Sequence, residues 1–205
     1  MKLYELATLR TVIFGAGKAA PAIKDYVSAP EAKGKLLGAW ASDIGRLNEV
    51  FILREFDSRV DLDAERERAR RSSNPFGCAE LLTGMDLDSY APLGFLPPVE
   101  TGDFGPFYEI RTYRMKPNGL GPTEEKWRDA VPTRTGYSPL TIAMYSIDGG
   151  SRFTQIWPYR SLEERGTARG KSVADGVWPP KGGPDWLTPD MYSTIAMPLA
   201  FSPLK

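Results

Sequence analysis

Glu109, Arg111 and Tyr113 alternate along Tyr108–Met115, a run of strand-forming residues, so their side chains share one face of a strand. A carboxylate, a guanidinium and a phenol set side by side suit acid/base chemistry. Burial of Glu109 beside aromatic rings would raise its pKa toward neutrality, where a general acid or base is most effective. Arg111 would orient an anionic or carbonyl oxygen, and Tyr113, Tyr145 or Tyr159 would donate hydrogen bonds to developing charge. Gln155, Trp157 and Tyr159 alternate in the same way along Arg152–Tyr159, with Trp157 as a stacking wall. Glu5 and Arg54 occupy the matching upstream positions. A competing reading has Glu109 paired with Arg111 or Arg54 as an interior ion pair that sets register, with Glu5 doing the same and Trp157 and Tyr159 simply packing. On the catalytic reading, Glu109→Gln leaves the fold intact and abolishes turnover or ligand binding.

Composition limits the other chemistries. The chain of 205 residues has 26 Lys and Arg, 26 Asp and Glu, no histidine and one cysteine. Zero net charge argues against a nucleic-acid partner or an anionic membrane surface. The lack of histidine removes Ser-His and Cys-His nucleophile pairs and imidazole metal ligands, and one cysteine allows neither an internal disulfide nor a four-cysteine zinc site. No metal and no cofactor is expected. No apolar run reaches the length of a membrane span, no targeting segment is evident at either end, and a cytoplasmic location is expected.

The elements that must position these residues come from a duplication. Tyr4-Glu5-Leu6-Ala7-Thr8-Leu9 returns as Tyr108-Glu109-Ile110-Arg111-Thr112-Tyr113, Phe56-Asp57-Ser58 as Tyr159-Arg160-Ser161, and Pro92-Leu93-Gly94-Phe95 as Pro198-Leu199-Ala200-Phe201, in the same order and at nearly constant spacing. The expected division is a first repeat over 1–97, a linker over 98–106 and a second repeat over 107–205. In the second repeat, Gly121-Pro122-Thr123-Glu124-Glu125 opens a helix, Leu140–Ile147 and Arg152–Tyr159 form a hairpin through Asp148-Gly149-Gly150, Ser161 caps a second helix, and Tyr192–Phe201 is the last strand. The order β-α-β-β-α-β is the ferredoxin-like unit. Each such sheet leaves one face bare, and two linked copies can close those faces on each other. The expected fold is therefore α+β, an intrachain pseudo-dimeric barrel of two ferredoxin-like repeats.

Tyr108-Glu109-Ile110-Arg111-Thr112-Tyr113-Arg114-Met115-Lys116-Pro117, Ser138-Pro139 and Ile156-Trp157-Pro158-Tyr159-Arg160-Ser161-Leu162-Glu163-Glu164-Arg165 resemble a NIPSNAP domain. The resemblance is strong in the second half and dilute but colinear in the first, as in a tandem NIPSNAP protein of the dimeric α+β barrel superfamily. It implies a barrel fold. The superfamily includes cofactor-free monooxygenases, cyclases, isomerases and haem enzymes, and animal NIPSNAP proteins are mitochondrial and discussed as sensors and adaptors. The family pattern often has a histidine before the Trp-x-Tyr of the third strand; here that position is Gln155, which argues against haem.

Placing the more apolar set of each strand under the helices turns Glu109, Arg111, Tyr113, Tyr145, Gln155, Trp157 and Tyr159 into the barrel, with Glu5 and Arg54 from the first repeat. That makes the interior a candidate small-molecule site. The irregular Val177–Trp186 segment carries Trp178 and Trp186 on a Pro/Gly frame and is expected to cover the barrel mouth as a lid or to plug its end. Gly15-Ala16-Gly17-Lys18 lacks phosphate-loop spacing and reads as a turn. Glu65–Arg71 reads as a solvated helix face, and Cys78 as inert. The leading expectation is a histidine-free acid/base enzyme (isomerase, cyclase, dehydratase or cofactor-free oxygenase) of secondary metabolism or catabolism acting on a small molecule. The alternatives are a non-catalytic ligand sensor or adaptor, or a structural partner in an assembly. An open pocket around Glu109 would favour the enzyme and a barrel filled by its own side chains the adaptor. Internal pairing allows a monomer, and a homodimer through the helical faces is the other option.

Overall fold

The computed structural model describes residues 2–205. The first repeat comprises β1 (Leu3–Thr11), α1 (Gly15–Val27), β2 (Lys35–Ile44), β3 (Glu49–Phe56), α2 (Arg59–Arg71) and β4 (Leu82–Pro92). The second comprises β5 (Phe107–Met115), α3 (Leu120–Arg134), β6 (Ile142–Ser146), β7 (Arg152–Tyr159), α4 (Leu162–Ala174) and β8 (Leu187–Pro198). This is the β-α-β-β-α-β order twice over. The helix starts follow local chemistry: the Ser58 and Ser161 hydroxyls accept from the backbone N–H of Asp61 and Glu164, capping α2 and α4. Pro122 sits two residues inside the start of α3, and β8 begins earlier than the apolar run at its end suggests, at Leu187.

All eight strands join in one closed antiparallel barrel, ordered β1-β3-β2-β8-β5-β7-β6-β4. The two seams each pair a hairpin strand of one repeat with the last strand of the other. Along β2 and β8, Trp40 faces Pro198 and Ile44 faces Ile195; along β4 and β6, Tyr90 faces Ser146 and Pro92 faces Met144. Among the described residues, closure leaves no free sheet edge.

Three apolar clusters follow from this arrangement. Tyr4, Leu6, Trp40, Phe51, Leu53, Tyr90, Tyr108, Ile110, Met144 and Ile156 fill the barrel from both repeats. Val99 and Leu204 join that cluster, with Phe104 against it, so the inter-repeat linker and the segment after β8 stop one end of the barrel. The Leu204 N–H donates to the Leu37 carbonyl at 3.1 Å, and the Tyr108 hydroxyl donates to the Lys205 carbonyl at 3.2 Å. The second cluster packs α1 and α2 on the outer face of the first sheet through Ala19, Ile23, Val27 and Ala69, and the third packs α3 and α4 on the second sheet through Trp127, Val131 and Ala168.

The orientation of the sheets reverses the expected one. Tyr4, Leu6, Tyr108 and Ile110 point into the barrel, whereas Glu5, Arg54, Glu109, Arg111, Tyr113, Tyr145, Gln155, Trp157 and Tyr159 lie on the outer faces beneath the helices. Both faces of a strand in this fold are buried, so apolarity alone does not separate them. The deciding factor is where a charge finds a partner. Sheet encloses the barrel interior on every side; its middle is apolar apart from Thr154, bonded to Tyr90, while Glu49 and Glu55 lie near its ends, where Arg46 and Lys2 reach them. The helices instead bring Glu65 to Arg54, and Arg165 and Arg169 to Glu109. An unpaired buried charge is too costly to keep, so the charged set goes to the helical side.

Candidate functional site

In the second repeat the space between sheet and helices stays open as a cavity of about 500 Å³. Its floor is Tyr113 and Phe153 of the sheet, its sides are Thr123 and Trp127 of α3 and Arg169 and Val173 of α4, and the Val177–Trp186 loop with the start of β8 forms its roof. The α3 stripe follows from helical spacing: Thr123, Trp127, Val131 and Arg134 are the buried positions of that helix. Trp127 makes edge-on contacts with Phe153 and Trp178, with ring centroids 4.7 and 4.9 Å apart, and Trp157 packs behind Trp178 at 5.8 Å. Trp178 and Trp186 thus roof a cavity outside the barrel, and neither a lid over the barrel mouth nor a plug in its end describes them.

Behind the cavity wall lies a charged cluster centred on Glu109, which is wholly buried. Its Oε1 accepts from Arg165 Nη2 at 2.6 Å, from the Ser193 hydroxyl at 2.7 Å and from Arg111, while its Oε2 faces Arg169 Nη1 at 3.7 Å. Arg165 and Arg169 are one helical turn apart on α4, so both reach the same carboxylate. Arg111 also donates from Nε to the Tyr113 hydroxyl oxygen at 2.6 Å, and this links the cluster to the cavity floor. Burial alone would raise the Glu109 pKa. The Arg165 hydrogen bond, the Arg111 charge, the Ser193 hydroxyl and Arg169 outweigh it and hold the group down to about 2. The expectation of a near-neutral carboxyl is therefore corrected: Glu109 is ionised and clamped by three guanidinium groups.

Gln155 and Trp157 bond to each other, the indole N–H donating to Gln155 Oε1 at 2.7 Å. Arg134, 1% exposed, stacks over Trp157 at 4.4 Å and donates to the Ser138 hydroxyl at 2.8 Å. Burial lowers its pKa, and among the described residues it has no carboxylate within salt-bridge distance. Tyr145 and Tyr159 pack in the same apolar cluster.

The first repeat repeats the theme in closed form. Arg54 donates to Glu5 at 2.6 Å and to Glu65 at 2.5 Å, and Arg68 closes on Glu65 at 2.9 Å, with Arg54, Glu5 and Glu65 at most 1% exposed. Glu65 is thus interior and does not belong to a solvated face; the arginines overcome the burial that would raise its pKa and lower it instead. The counterpart of the tryptophan loop tucks Phe76 between sheet and helices against Tyr26, with centroids 4.7 Å apart, and beneath Arg54 at 5.7 Å. Cys78 is buried in the same cluster, and burial raises its pKa. Glu5 and Arg54 therefore belong to a filled interior and do not share a chamber with Glu109.

Arg165, Arg169, Arg134, Trp127 and Ser193 were not singled out from the sequence. The i, i+4 spacing of Arg165 and Arg169 on a helix that also buries Ala168 and Ser172 was the signal for two of them. Among the described residues no group of three or more His, Cys, Asp or Glu is placed to hold a metal ion, and no helix is long and apolar enough to cross a membrane.

Comparison with known proteins agrees with this architecture. The chain is similar to the NipSnap homologue of Dictyostelium discoideum, 26% identical over 145 residues that cover 69% of this chain and 65% of that protein. It is 34% identical over 74 residues to human NipSnap homologue 3B, covering 35% of this chain and 29% of that one. The chain thus spans less than two thirds of the length of either relative. A solved structure of an anthrone oxidase-like protein superposes with a TM-score of 0.69 over 97% of this chain and 91% of that one, at 13% identity, a likeness of fold. The NIPSNAP family model matches residues 4–76 and 108–203, and the chain belongs to the NIPSNAP family.

Proposed function

We propose that the protein binds a small, largely apolar molecule in the cavity of its second repeat, and that Tyr113, held by Arg111, is the group that moves or shares a proton with it. The observation that carries this reading is the cavity of about 500 Å³ with the Tyr113 side chain in its floor. That volume is in the range of ordinary small-molecule sites. The Arg111 Nε–H occupies a lone pair of the phenol oxygen, which frees the O–H to donate to a substrate oxygen as negative charge develops there. Glu109, ionised and enclosed, positions Arg111, Arg165 and Arg169 and leaves proton transfer to Tyr113. The wall of Trp127, Phe153, Trp178 and Trp186 suits an aromatic or polyketide-like body. The reaction class is a histidine-free and cofactor-independent isomerisation, cyclisation, dehydration or oxygenation.

A second reading, binding without turnover by a sensor or adaptor, is favoured by the filled barrel and by the low pKa of Glu109. Native mass spectrometry of the freshly purified protein, followed by incubation with a cellular extract and chromatography of the bound compound, separates the two. For an enzyme, the wild type should consume the compound, Tyr113→Phe should bind it but convert it at least tenfold more slowly, and Val173→Trp, at the cavity rim, should weaken its binding with the folded state unchanged. Recovery of the compound unaltered from the wild type would establish the sensor, and equal binding by Val173→Trp would rule out this cavity.

A further inference from the structure

The interior of the second repeat is out of charge balance. Arg111, Arg165 and Arg169 converge on the one carboxylate of Glu109, and Arg134 is buried nearby with no carboxylate of its own. The first repeat is a built-in control, because there Arg54 and Arg68 meet Glu5 and Glu65 in balance and the space is filled by Phe76. The excess of positive charge thus occurs in the repeat that keeps a cavity. The Arg111, Arg165 and Arg169 side chains are 16%, 29% and 31% exposed, so solvent carries part of this excess, and an anion in the adjoining apolar space would carry the rest.

Arg169 is the member of the cluster that lines the cavity. Its only acidic neighbour among the described residues is Glu109, at 3.7 Å, a separation beyond a good hydrogen bond. Its donors therefore remain available to a ligand. Behind the cavity wall, Glu109 Oε2, Arg134 Nε, Arg165 Nε and Gln155 Nε2 are buried without hydrogen-bond partners, so the cluster that supports Arg169 is not internally satisfied. Resting on the cavity reading above, we infer that the ligand is an aromatic carboxylate, its carboxylate held by Arg169 and its ring body against Trp127, Trp178 and Trp186. One guanidinium fork at an otherwise apolar wall matches a planar monoanion bidentately. Glu109 has a positioning role, keeping Arg165 and Arg111 away from the ligand so that Arg169 alone faces it.

The test is calorimetric titration with matched acids and amides: 2-naphthoate against 2-naphthamide, and indole-3-acetate against indole-3-acetamide. Each pair holds the ring constant and changes only the charge. Each acid should bind the wild type about tenfold to a hundredfold more tightly than its amide, as expected for a hydrogen-bonded charge pair. Arg169→Gln should remove that preference, leave amide affinity unchanged and keep the circular dichroism spectrum of the wild type, with at most a small fall in melting temperature from the weakened contact with Glu109. Acids and amides that bind equally well, or an Arg169→Gln variant that keeps the acid preference, would overturn the carboxylate assignment while leaving the cavity reading in place. If no compound binds, or if Val173→Trp binds all four as the wild type does, the cavity reading fails together with this one.

Discussion

Arg54→Met should lower the unfolding free energy by about 3–5 kcal/mol, the range found when one partner of a buried ion pair is removed. Arg54 is wholly enclosed between Glu5 and Glu65, at 2.6 and 2.5 Å, and its loss strands two carboxylates away from water. Arg68 still reaches Glu65, but among the described residues Glu5 keeps no cation. For a chain of this length the melting temperature should fall by about 2–4 °C for each kcal/mol. The triple variant Glu5→Leu, Arg54→Met, Glu65→Leu removes the charges together with their desolvation cost and should regain at least half of the loss. Urea denaturation of the two variants measures both effects. A loss below about 1 kcal/mol in Arg54→Met would show that Glu5 and Glu65 do not depend on this arginine.

The second large effect is a pH dependence set by Glu109. Its folded pKa of about 2 lies well below the ordinary glutamate value of 4.5. A group depressed in this way stabilises the fold fully above its unfolded pKa, and that contribution disappears as pH falls through the folded value. The shift corresponds to about 2–3 kcal/mol once solvent access to Arg165 and Arg169 is allowed for. At pH 7, Glu109→Gln should therefore be less stable than the wild type by that amount. The gap should narrow steadily as pH drops from about 4.5 toward 2, because protonation removes from the wild type what the substitution has already removed. Stability curves from urea titrations at a series of pH values give the comparison directly. A gap that stays constant with pH would mean that the Glu109 charge is not what the arginines stabilise.

The fold was readable because duplication and alternation are carried by the order and spacing of residues. Tyr4-Glu5-Leu6 returning as Tyr108-Glu109-Ile110, and the paired caps at Ser58 and Ser161, were enough to give two ferredoxin-like units and a barrel. Which face of each strand enters the barrel is not legible in the alternation, for a specific reason. The choice depended on partners from other elements: Arg165 and Arg169 on α4 for Glu109, and Glu65 on α2 for Arg54. Alternation says which residues share a face, but it does not say what the opposing surface will supply. The cavity was hidden for a related cause. Its roof, Trp178 to Trp186, was recognised as irregular and aromatic, but its position over α3 and α4 depends on tertiary contacts such as Trp127 against Trp178. Residues such as Arg134 and Ser193 gain meaning only from those contacts.

The two seams, β2 with β8 and β4 with β6, have an evolutionary consequence. A barrel assembled from two identical subunits obeys its twofold axis, so any substitution appears at both related places and both must tolerate it. Covalent linkage lifts that restriction. Position 54 can hold an arginine locked between acids while position 157 holds a tryptophan behind a cavity, and neither change is copied onto the other side. One half is thereby free to specialise in holding the molecule together while the other drifts toward ligand binding. The proposed cavity then gives a stoichiometry of one ligand per barrel, without the site-to-site cooperativity that a symmetric pair could show.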